Sequence, residues 1–213
     1  MWPVVRDRLP AAPARVVELG CGPFGGFVPM LRADGYDATG VDPEAPDEAG
    51  YLRAAFEQAE LPREVDAVVA STSLHHVADP DEVLDRVAGT LAPGGTVVVL
   101  EWAWEDFDER TAEWAFGRLG SEEGWLRRRR DGWTASGEPW SAYLQAWASE
   151  ERLHSAETLL RLLDERFECR ELSRGPFLFA DLPSTSVEDE QRAIDEGEVR
   201  AMRVDYVGRR RTP

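Results

Sequence analysis

An apolar run that leads directly into a cluster of glycines is the feature that most restricts how this 213-residue chain folds. The run is Arg15–Leu19, and a helix is expected to begin near Phe27. The glycines between them are Gly20, Gly22, Gly25 and Gly26. A strand that enters a helix through glycines is typical of the first turn of a parallel sheet, where a ligand approaches the backbone closely. The sequence therefore predicts an α/β fold with a ligand at this turn.

Three further apolar runs support a parallel sheet. They are Ala38–Asp42, Asp66–Ser71 and Thr96–Glu101, and amphipathic stretches separate them. Strands that alternate with helices in this way form βαβ units, whose sheet is covered on both faces. With the first run, four parallel strands are expected.

The clearest helix lies between the last two of these strands. Asp79 is placed as its N-cap and Pro80 as its first residue, and an apolar stripe follows as far as Leu91. The segment Pro93-Gly94-Gly95 is then expected to turn the chain. This pattern predicts a crossover helix.

Near the C-terminus the sequence pattern changes to strict alternation. Within a strand expected at Glu198–Val207, Met202, Val204 and Tyr206 share one face, while Arg203 and Asp205 share the other. Antiparallel strands are often solvated on one side, so this strand makes the sheet mixed.

Composition excludes several classes of function. Against 41 acidic residues stand 24 basic ones, all of them arginine, and the formal net charge is -17. Such a charge repels nucleic acid and anionic membranes, and the absence of lysine excludes Schiff-base chemistry. No apolar run is long enough to cross a bilayer. Cys21 and Cys169 are too far apart in sequence to suggest a disulfide framework or a metal site, so we expect a cytoplasmic protein without a metal.

The glycines also match a known pattern for nucleotide binding. Gly20, Gly22 and Gly25 satisfy G-x-G-x-x-G, and Asp42 follows about 20 residues later at the tip of the next strand. A carboxylate there accepts both ribose hydroxyls, so an adenosine-bearing cofactor is indicated. The alternative is a tight turn whose glycines only permit close packing.

At this point the chain resembles the class I S-adenosylmethionine-dependent methyltransferases that act on small molecules. The resemblance covers about residues 12–104 and is carried by four blocks: Glu18–Gly22, Gly40–Pro43, Asp66–Val77 and Leu91–Val99. It implies a doubly wound, mostly parallel, seven-stranded Rossmann-like sheet with one antiparallel strand. We expect a single domain over 1–213, with a cofactor-binding core at 12–104 and a Trp-rich helical insertion at 105–151 that forms a lid.

The resemblance also assigns roles to residues. Glu18 would hold the ammonium group of the cofactor, Gly20, Cys21, Gly22 and Pro23 would line its backbone side, and Asp42 with Pro43 would take the ribose. Phe56 and Glu57 would flank adenine, while Ser71 and Thr72 would border the sulfonium.

Two positions depart from the family pattern. Phe24 stands where members usually have their third glycine, so the loop is interpreted as one residue longer. Ala55 stands where an acid usually reads the adenine amine, and Glu57 is proposed to replace that acid.

Several side chains permit two interpretations. His76, beside His75, is placed as a general base for the acceptor, although such a residue also serves as a simple cap. Cys21 is interpreted as a packing residue rather than a nucleophile. The run Arg127–Arg130 suits an anionic substrate but is more typical of a solvated helix face. Trp102 and Trp104 are candidates for the wall of a substrate pocket.

The sequence thus predicts methyl transfer from S-adenosylmethionine to an oxygen, nitrogen or carbon atom of a small molecule. Two alternatives remain: a nicotinamide-dependent oxidoreductase, which the glycine pattern and Asp42 also suit, and a cofactor-binding relative without activity. The sequence does not indicate the acceptor or the oligomeric state.

Overall fold

A computed structural model describes residues 1–211 of the chain, which divides into two compact units. The first unit comprises Met1–Glu101, Glu157–Ser173 and the chain from Asp205 onward. The second comprises Trp102–Ala156 and Arg174–Val204. The predicted single domain and the lid role of 105–151 stay predictions.

Seven strands form one sheet. In chain order they are β1 Arg15–Leu19, β2 Asp37–Val41, β3 Tyr51–Leu52, β4 Val65–Ser71, β5 Leu91–Trp102, β6 Phe167–Gly175 and β7 Arg203–Arg210. Their order across the sheet is β3-β2-β1-β4-β5-β7-β6. The pairs β2–β3, β1–β2, β1–β4 and β4–β5 are parallel. The predicted mostly parallel sheet with an antiparallel component is confirmed.

Eight α-helices accompany the strands in the described chain. They are α1 Trp2–Arg6, α2 Val28–Ala33, α3 Pro80–Thr90, α4 Glu109–Phe116, α5 Trp125–Ser136, α6 Trp140–Glu150, α7 Ala156–Arg166 and α8 Val187–Asp195. As predicted, the Asp79 side chain caps α3, accepting from the backbone N–H groups of Asp81 and Glu82. Within residues 1–211, no helix has the length and apolar character that a bilayer crossing requires.

The doubly wound arrangement follows from alternation along the buried strands. Val17 and Val68 belong to a core cluster that also contains the apolar faces of α3 and α7. Their neighbours Val16 and Val69 belong to another cluster, with Val28 of α2. Because successive strand residues point to opposite faces, each apolar strand supplies both clusters, and the sheet is covered on both sides.

Two details of the strands differ from the sequence prediction. The segment Pro93–Gly95 does not separate helix from strand: it lies inside β5, where the register shifts between Val65↔Leu91 and Ala67↔Thr96, as in a bulge. In addition, β7 begins only at Arg203 rather than Glu198.

The predicted solvated face of β7 is wrong. Arg203 is 7% exposed and Asp205 is 3% exposed. The Arg203 Nη1 donates to the carbonyl of Pro176 at 2.9 Å, and the Arg8 guanidinium lies 3.9 Å from the Asp205 carboxylate. Since hydrogen bonds and an opposite charge offset the cost of burial, both charged residues lie inside the protein.

The second unit has its own core, built largely from aromatic side chains. Trp102 stacks parallel to Phe177 with ring centroids 5.7 Å apart, and Trp140 meets Phe107 edge-on at 5.0 Å. Trp102 and Trp104 are both at least nine-tenths buried and belong to this core. Most of the tryptophans that sequence analysis left without a role therefore pack against one another.

The arginine run lies on α5 and has local partners. Arg127 donates to the carbonyls of Glu122 and Gly120, Arg129 lies over the ring of Trp147, and Arg130 pairs with Asp131. Arg128 is exposed. These contacts favour a packing and surface role for the run over a substrate site.

Candidate cofactor-binding site

A cavity of about 600 Å³ lies within the first unit, where β1, β2 and β4 end. In a parallel sheet this carboxyl edge is where ligands bind, at the point where the strand order reverses. Its lining residues are Leu19, Gly20, Val41, Asp42, Pro43, Ala55, Phe56, Glu57, Gln58, Thr72, Ser73, Leu74, His76, Val77, Ala78, Asp79, Glu82 and Val83.

The lining of this cavity is negatively charged. Four carboxylates line it, those of Asp42, Glu57, Asp79 and Glu82, and none of the lining residues is an arginine. Opposite charges attract more strongly in a partly desolvated site than in water. The cavity therefore suits a cationic ligand and disfavours one that carries phosphates.

The β2 end of the cavity presents one carboxylate in a fixed position. Asp42 Oδ1 accepts the backbone N–H of Glu44 at 2.7 Å, so the side chain is held by its own turn. Phe56 also lines the cavity and is 8% exposed, with the Arg86 guanidinium 5.9 Å from its ring centre. A fixed acid and an apolar ring match the two parts of an adenosine, its ribose diol and its flat base.

The turn after β4 packs tightly on the glycine-rich loop. Ser73 Oγ donates to the carbonyl of Leu19 at 3.1 Å. A Cβ added to Gly20, whose φ is +76°, would lie 2.3 Å from the Cβ of Ser73. Thr72 itself has φ of +50°, which is uncommon for a β-branched residue. Gly20 is thus required both by its backbone conformation and by the approach of the neighbouring turn.

Glu18 is buried beneath the glycine-rich loop, with 2% of its surface exposed. Both carboxylate oxygens face the backbone N–H of Phe27, at 2.8 and 3.0 Å. Burial raises the pKa of Glu18 to about 7, against the lowering effect of the N–H groups of Phe27 and Val28. The side chain therefore titrates near neutrality and connects the two ends of the loop.

Strand β5, which pairs with β4, carries a second buried acid one residue before its end. Glu101 is 2% exposed, and its Oε2 lies 2.5 Å from Nδ1 of His75. Its Oε1 accepts the backbone N–H groups of Ser73 and Leu74 at 2.9 and 2.7 Å. The next residue, His76, lines the cavity. The turn that carries both histidines is thus held by a carboxylate from the adjacent strand.

A family model described as a methyltransferase domain matches residues 4–166, more than half of the chain. The chain belongs to this methyltransferase family. The prediction of a methyltransferase with the class I Rossmann-like fold is confirmed. Membership favours this prediction over a nicotinamide-dependent oxidoreductase.

Sequence similarity to individual methyltransferases covers less than half of the chain, whereas structural similarity covers nearly all of it. A ubiquinone biosynthesis O-methyltransferase of Caulobacter is 36% identical over 109 residues, which cover 43% of this chain and 42% of that protein. The chain therefore matches less than half the length of that curated relative. An S-adenosylmethionine-dependent methyltransferase of Mesorhizobium loti has TM-score 0.62 and 23% identity, covering 98% of this chain and 97% of the other. A geranyl diphosphate C-methyltransferase of Streptomyces coelicolor has TM-score 0.58 and 15% identity, covering 98% and 74%.

The methyltransferase fold brings most of the predicted site residues to the cavity. Those that line it are Gly20, Asp42, Pro43, Phe56, Glu57, Thr72 and His76. Those outside its lining are Glu18, Cys21, Gly22, Pro23 and Ser71. The roles given to both groups stay predictions.

Cys21 lies in the loop as a buried, protonated thiol. Burial, with the nearby charges of Glu18 and Asp42, raises its pKa to about 12. A Cβ on Gly40 would lie 2.9 Å from its sulfur, so it fills the space beside β2. These features favour the predicted packing role.

Phe24, which stands in place of the expected glycine, and Glu57, which is proposed to replace the expected acid, lie in different surroundings. Phe24 is 94% exposed, while Gly25 and Gly26 after it both have positive φ. A Cβ on Gly26 would lie 2.3 Å from the Glu18 carboxylate, so this glycine permits the loop to close over the acid. Glu57 lines the cavity together with Gln58, and Gln58 was not predicted from the sequence to belong to the site.

The acids at the start of α3 belong to the site without having been predicted to do so. Asp79 and Glu82 line the cavity, although the sequence indicated only that Asp79 caps the helix. Ser73 and Leu74 were likewise not assigned to the site. Their position directly after β4, at the carboxyl edge of the sheet, was the available signal.

Proposed function

We propose that this methyltransferase transfers the methyl group of S-adenosylmethionine to an oxygen, nitrogen or carbon atom of a small molecule. The observation that carries the proposal is the cavity with four carboxylates and no arginine among its lining residues. S-adenosylmethionine carries a sulfonium and an ammonium group, whereas a nicotinamide dinucleotide carries two phosphates. The charge of the cavity supports the first ligand over the second.

The acceptor class rests on further support. Two of the similar proteins are a ubiquinone biosynthesis O-methyltransferase and a geranyl diphosphate C-methyltransferase, and both names indicate methylation of a small molecule. The net charge of -17 opposes nucleic acid as a partner. We also propose a cytoplasmic location, supported by two cysteines that are both free thiols, one buried and one exposed.

Within this proposal each side chain of the site has a defined task. Asp42 accepts the ribose hydroxyls, Phe56 packs against adenine, and Glu18 in its ionised form attracts the ammonium group from beneath the loop. The cofactor supplies a methyl group already activated by a positive sulfur, which leaves as a neutral thioether. The protein therefore contributes alignment and exclusion of water more than covalent chemistry.

The reaction also needs a destination for a proton when the attacking atom is a hydroxyl or an amine. The acceptor atom forms its bond to the methyl carbon while the carbon–sulfur bond breaks and its electron pair goes to sulfur. His76, the one imidazole that lines the cavity, is proposed to take the proton that the acceptor loses. A carbon acceptor that loses its proton after transfer uses the same base.

Two measurements on the full chain test the proposal. Calorimetry with S-adenosylmethionine, S-adenosylhomocysteine and NAD is expected to give micromolar binding of the first two and none of the third. Incubation with methyl-labelled S-adenosylmethionine and a metabolite extract is expected to move label to small molecules. Binding of NAD alone would contradict the cofactor assignment, and label on protein or nucleic acid would contradict the acceptor class. Binding without transfer to any acceptor would favour the inactive relative.

A further inference from the structure

Glu101 and His75 form a buried pair beside the cavity. The Glu101 Oε2 lies 2.5 Å from Nδ1 of His75, and the two side chains are 2% and 5% exposed. A contact this short requires a proton between the carboxyl oxygen and the imidazole nitrogen, and we assign that proton to Nδ1, which donates it to the Glu101 carboxylate. The carboxylate thereby fixes both the orientation of the ring and its tautomer.

The same carboxylate also controls the backbone of the cavity wall. Its Oε1 accepts from the N–H groups of Ser73 and Leu74, which are cavity-lining residues. The ring of His75 in turn contacts the ring of His76, with centroids 4.2 Å apart and planes inclined by 43°. One side chain from β5 therefore contacts both the backbone turn and the ring that packs against His76.

We infer that Glu101 and His75 are a positioning pair, which holds the turn Thr72–His76 and the ring of His76 in the geometry that cofactor binding and methyl transfer require. This inference rests on the proposed function. His75 does not line the cavity, so it acts through His76 and through the turn, and Glu101 acts through His75.

Burial of a carboxylate at this place needs a reason beyond packing. A buried charged pair contributes little net stability compared with apolar side chains of the same volume, because desolvation offsets the attraction. The pair beside this binding site therefore has a different role, which is to fix the position of groups that touch the ligand. Strain in the same turn, where Thr72 has φ of +50°, is the kind of conformation that surrounding contacts must enforce.

The second unit supplies a matched control. Glu190 is 0% exposed, and its carboxylate accepts the backbone N–H groups of Phe177, Leu178 and Phe179 at 2.8, 3.1 and 2.7 Å. It is thus a buried acid that holds a turn, like Glu101, but that turn contributes no residue to the cavity lining. The same substitution, Glu to Gln, can be made at both positions.

The experiment compares Glu101→Gln with Glu190→Gln and wild type by calorimetry with S-adenosylhomocysteine and by thermal unfolding. We expect both variants to lose a similar few degrees of Tm. Only Glu101→Gln is expected to weaken binding, by at least tenfold, whereas Glu190→Gln stays within twofold of wild type. Once an acceptor is known, kcat is expected to fall further than the change in cofactor affinity explains.

Nitrogen-15 NMR of the histidines tests the hydrogen bond between His75 and Glu101 directly. The chain has three histidines, so the spectrum is simple. In wild type, His75 is expected to carry its proton on Nδ1. In Glu101→Gln the N–H groups of Ser73 and Leu74 keep the amide oxygen, so the amide NH₂ faces Nδ1 and His75 changes to the Nε2–H tautomer.

Variants of His75 keep the inference testable if Glu101→Gln does not fold. His75→Asn retains an N–H donor for Glu101 and is expected to bind S-adenosylhomocysteine within a few-fold of wild type, whereas His75→Phe removes the donor and is expected to weaken binding at least tenfold. Equal binding by wild type, Glu101→Gln and His75→Phe would overturn the inference while the proposed function stands. Failure of wild type to bind either S-adenosyl compound would instead remove the proposed function, and an unprotonated Nδ1 on His75 would still refute the pair.

Discussion

The carboxylate of Glu18 accepts a hydrogen bond from the backbone N–H of Phe27, with Oε2 2.8 Å from the nitrogen, across the glycine-rich loop that separates the two residues. This contact connects the end of β1 to the start of α2, so the loop is closed from beneath by a single buried acid. Burial raises the pKa of that acid from 4.5 to about 7. The stability of the loop therefore depends on pH in a range where few carboxylates titrate.

Glu18→Gln is expected to change how stability depends on pH. Between pH 4.5 and 7 the folded protein holds a proton on Glu18 that the unfolded chain has released, so raising the pH favours unfolding. The stabilisation that protonated Glu18 gives to the folded protein is fully present below pH 4.5 and is lost as the pH rises through about 7. We expect the free energy of unfolding of wild type to fall relative to Glu18→Gln by about 3 kcal/mol across this window. Urea unfolding at several pH values measures it, and a difference that stays constant with pH would contradict the prediction.

Gly20→Ala is expected to destabilise the protein more than Gly22→Ala does. Both glycines have positive φ, so both substitutions introduce backbone strain of about 1 kcal/mol. Only at Gly20 does the new methyl meet a neighbour, the Cβ of Ser73 at 2.3 Å, whereas nothing lies within 4 Å of the position at Gly22. We expect Gly20→Ala to cost a further 1–3 kcal/mol, roughly the cost of overpacking.

Urea unfolding of the two glycine variants checks this difference. Adding Ser73→Gly to Gly20→Ala removes the Cβ that clashes and is expected to restore part of the lost stability. Equal losses for Gly20→Ala and Gly22→Ala would show that backbone strain alone requires the glycine.

Asp42→Asn is expected to weaken binding of S-adenosylhomocysteine with little effect on folding. The amide oxygen of Asn still accepts the N–H of Glu44, so the turn persists, but the charge that accepts the ribose hydroxyls is lost. Hydrogen bonds to a charged group contribute about 1.5–3 kcal/mol, which corresponds to a loss of affinity of roughly 10- to 150-fold. Calorimetry measures the loss, and Asp47→Asn, an exposed acid outside the cavity lining, is the control. Unchanged affinity in Asp42→Asn would refute the ribose assignment.

Local sequence predicts the central strands of this fold well because their signal is itself local. The run Arg15–Leu19 is β1 residue for residue, and the capped start of α3 at Asp79 is also as predicted. The short β3, Tyr51–Leu52, went unpredicted because two residues carry no periodic pattern. Buried strands and capped helices are specified by neighbours in sequence, whereas edge pairings depend on the rest of the sheet.

The charged residues that the sequence misplaced are those whose partners are distant along the chain. Arg203 and Asp205 alternate with apolar residues, which predicts an exposed face, yet both are buried with contacts from Pro176 and Arg8. Glu101 is likewise the last residue of a predicted strand, and its contact with His75 spans 26 positions. A pattern of residue types shows where a charge lies along a strand, and only the fold shows what neutralises it.

Glu190→Ala is expected to destabilise the second unit strongly, although the sequence shows only one more acid in an acidic helix. Its carboxylate accepts three successive backbone N–H groups, and the residue is fully buried. Removing it leaves those donors without their acceptor, and each unsatisfied buried group costs about 1–3 kcal/mol, so a total loss of several kcal/mol is expected. Glu188→Ala, an exposed acid in the same first turn of α8, is the control and is expected to change stability by less than about 0.5 kcal/mol. Chemical unfolding followed by tryptophan fluorescence reports directly on this unit, because Trp102 stacks on Phe177, the first residue whose N–H Glu190 holds. Similar stability losses for the two alanine variants would show that the three hydrogen bonds contribute little.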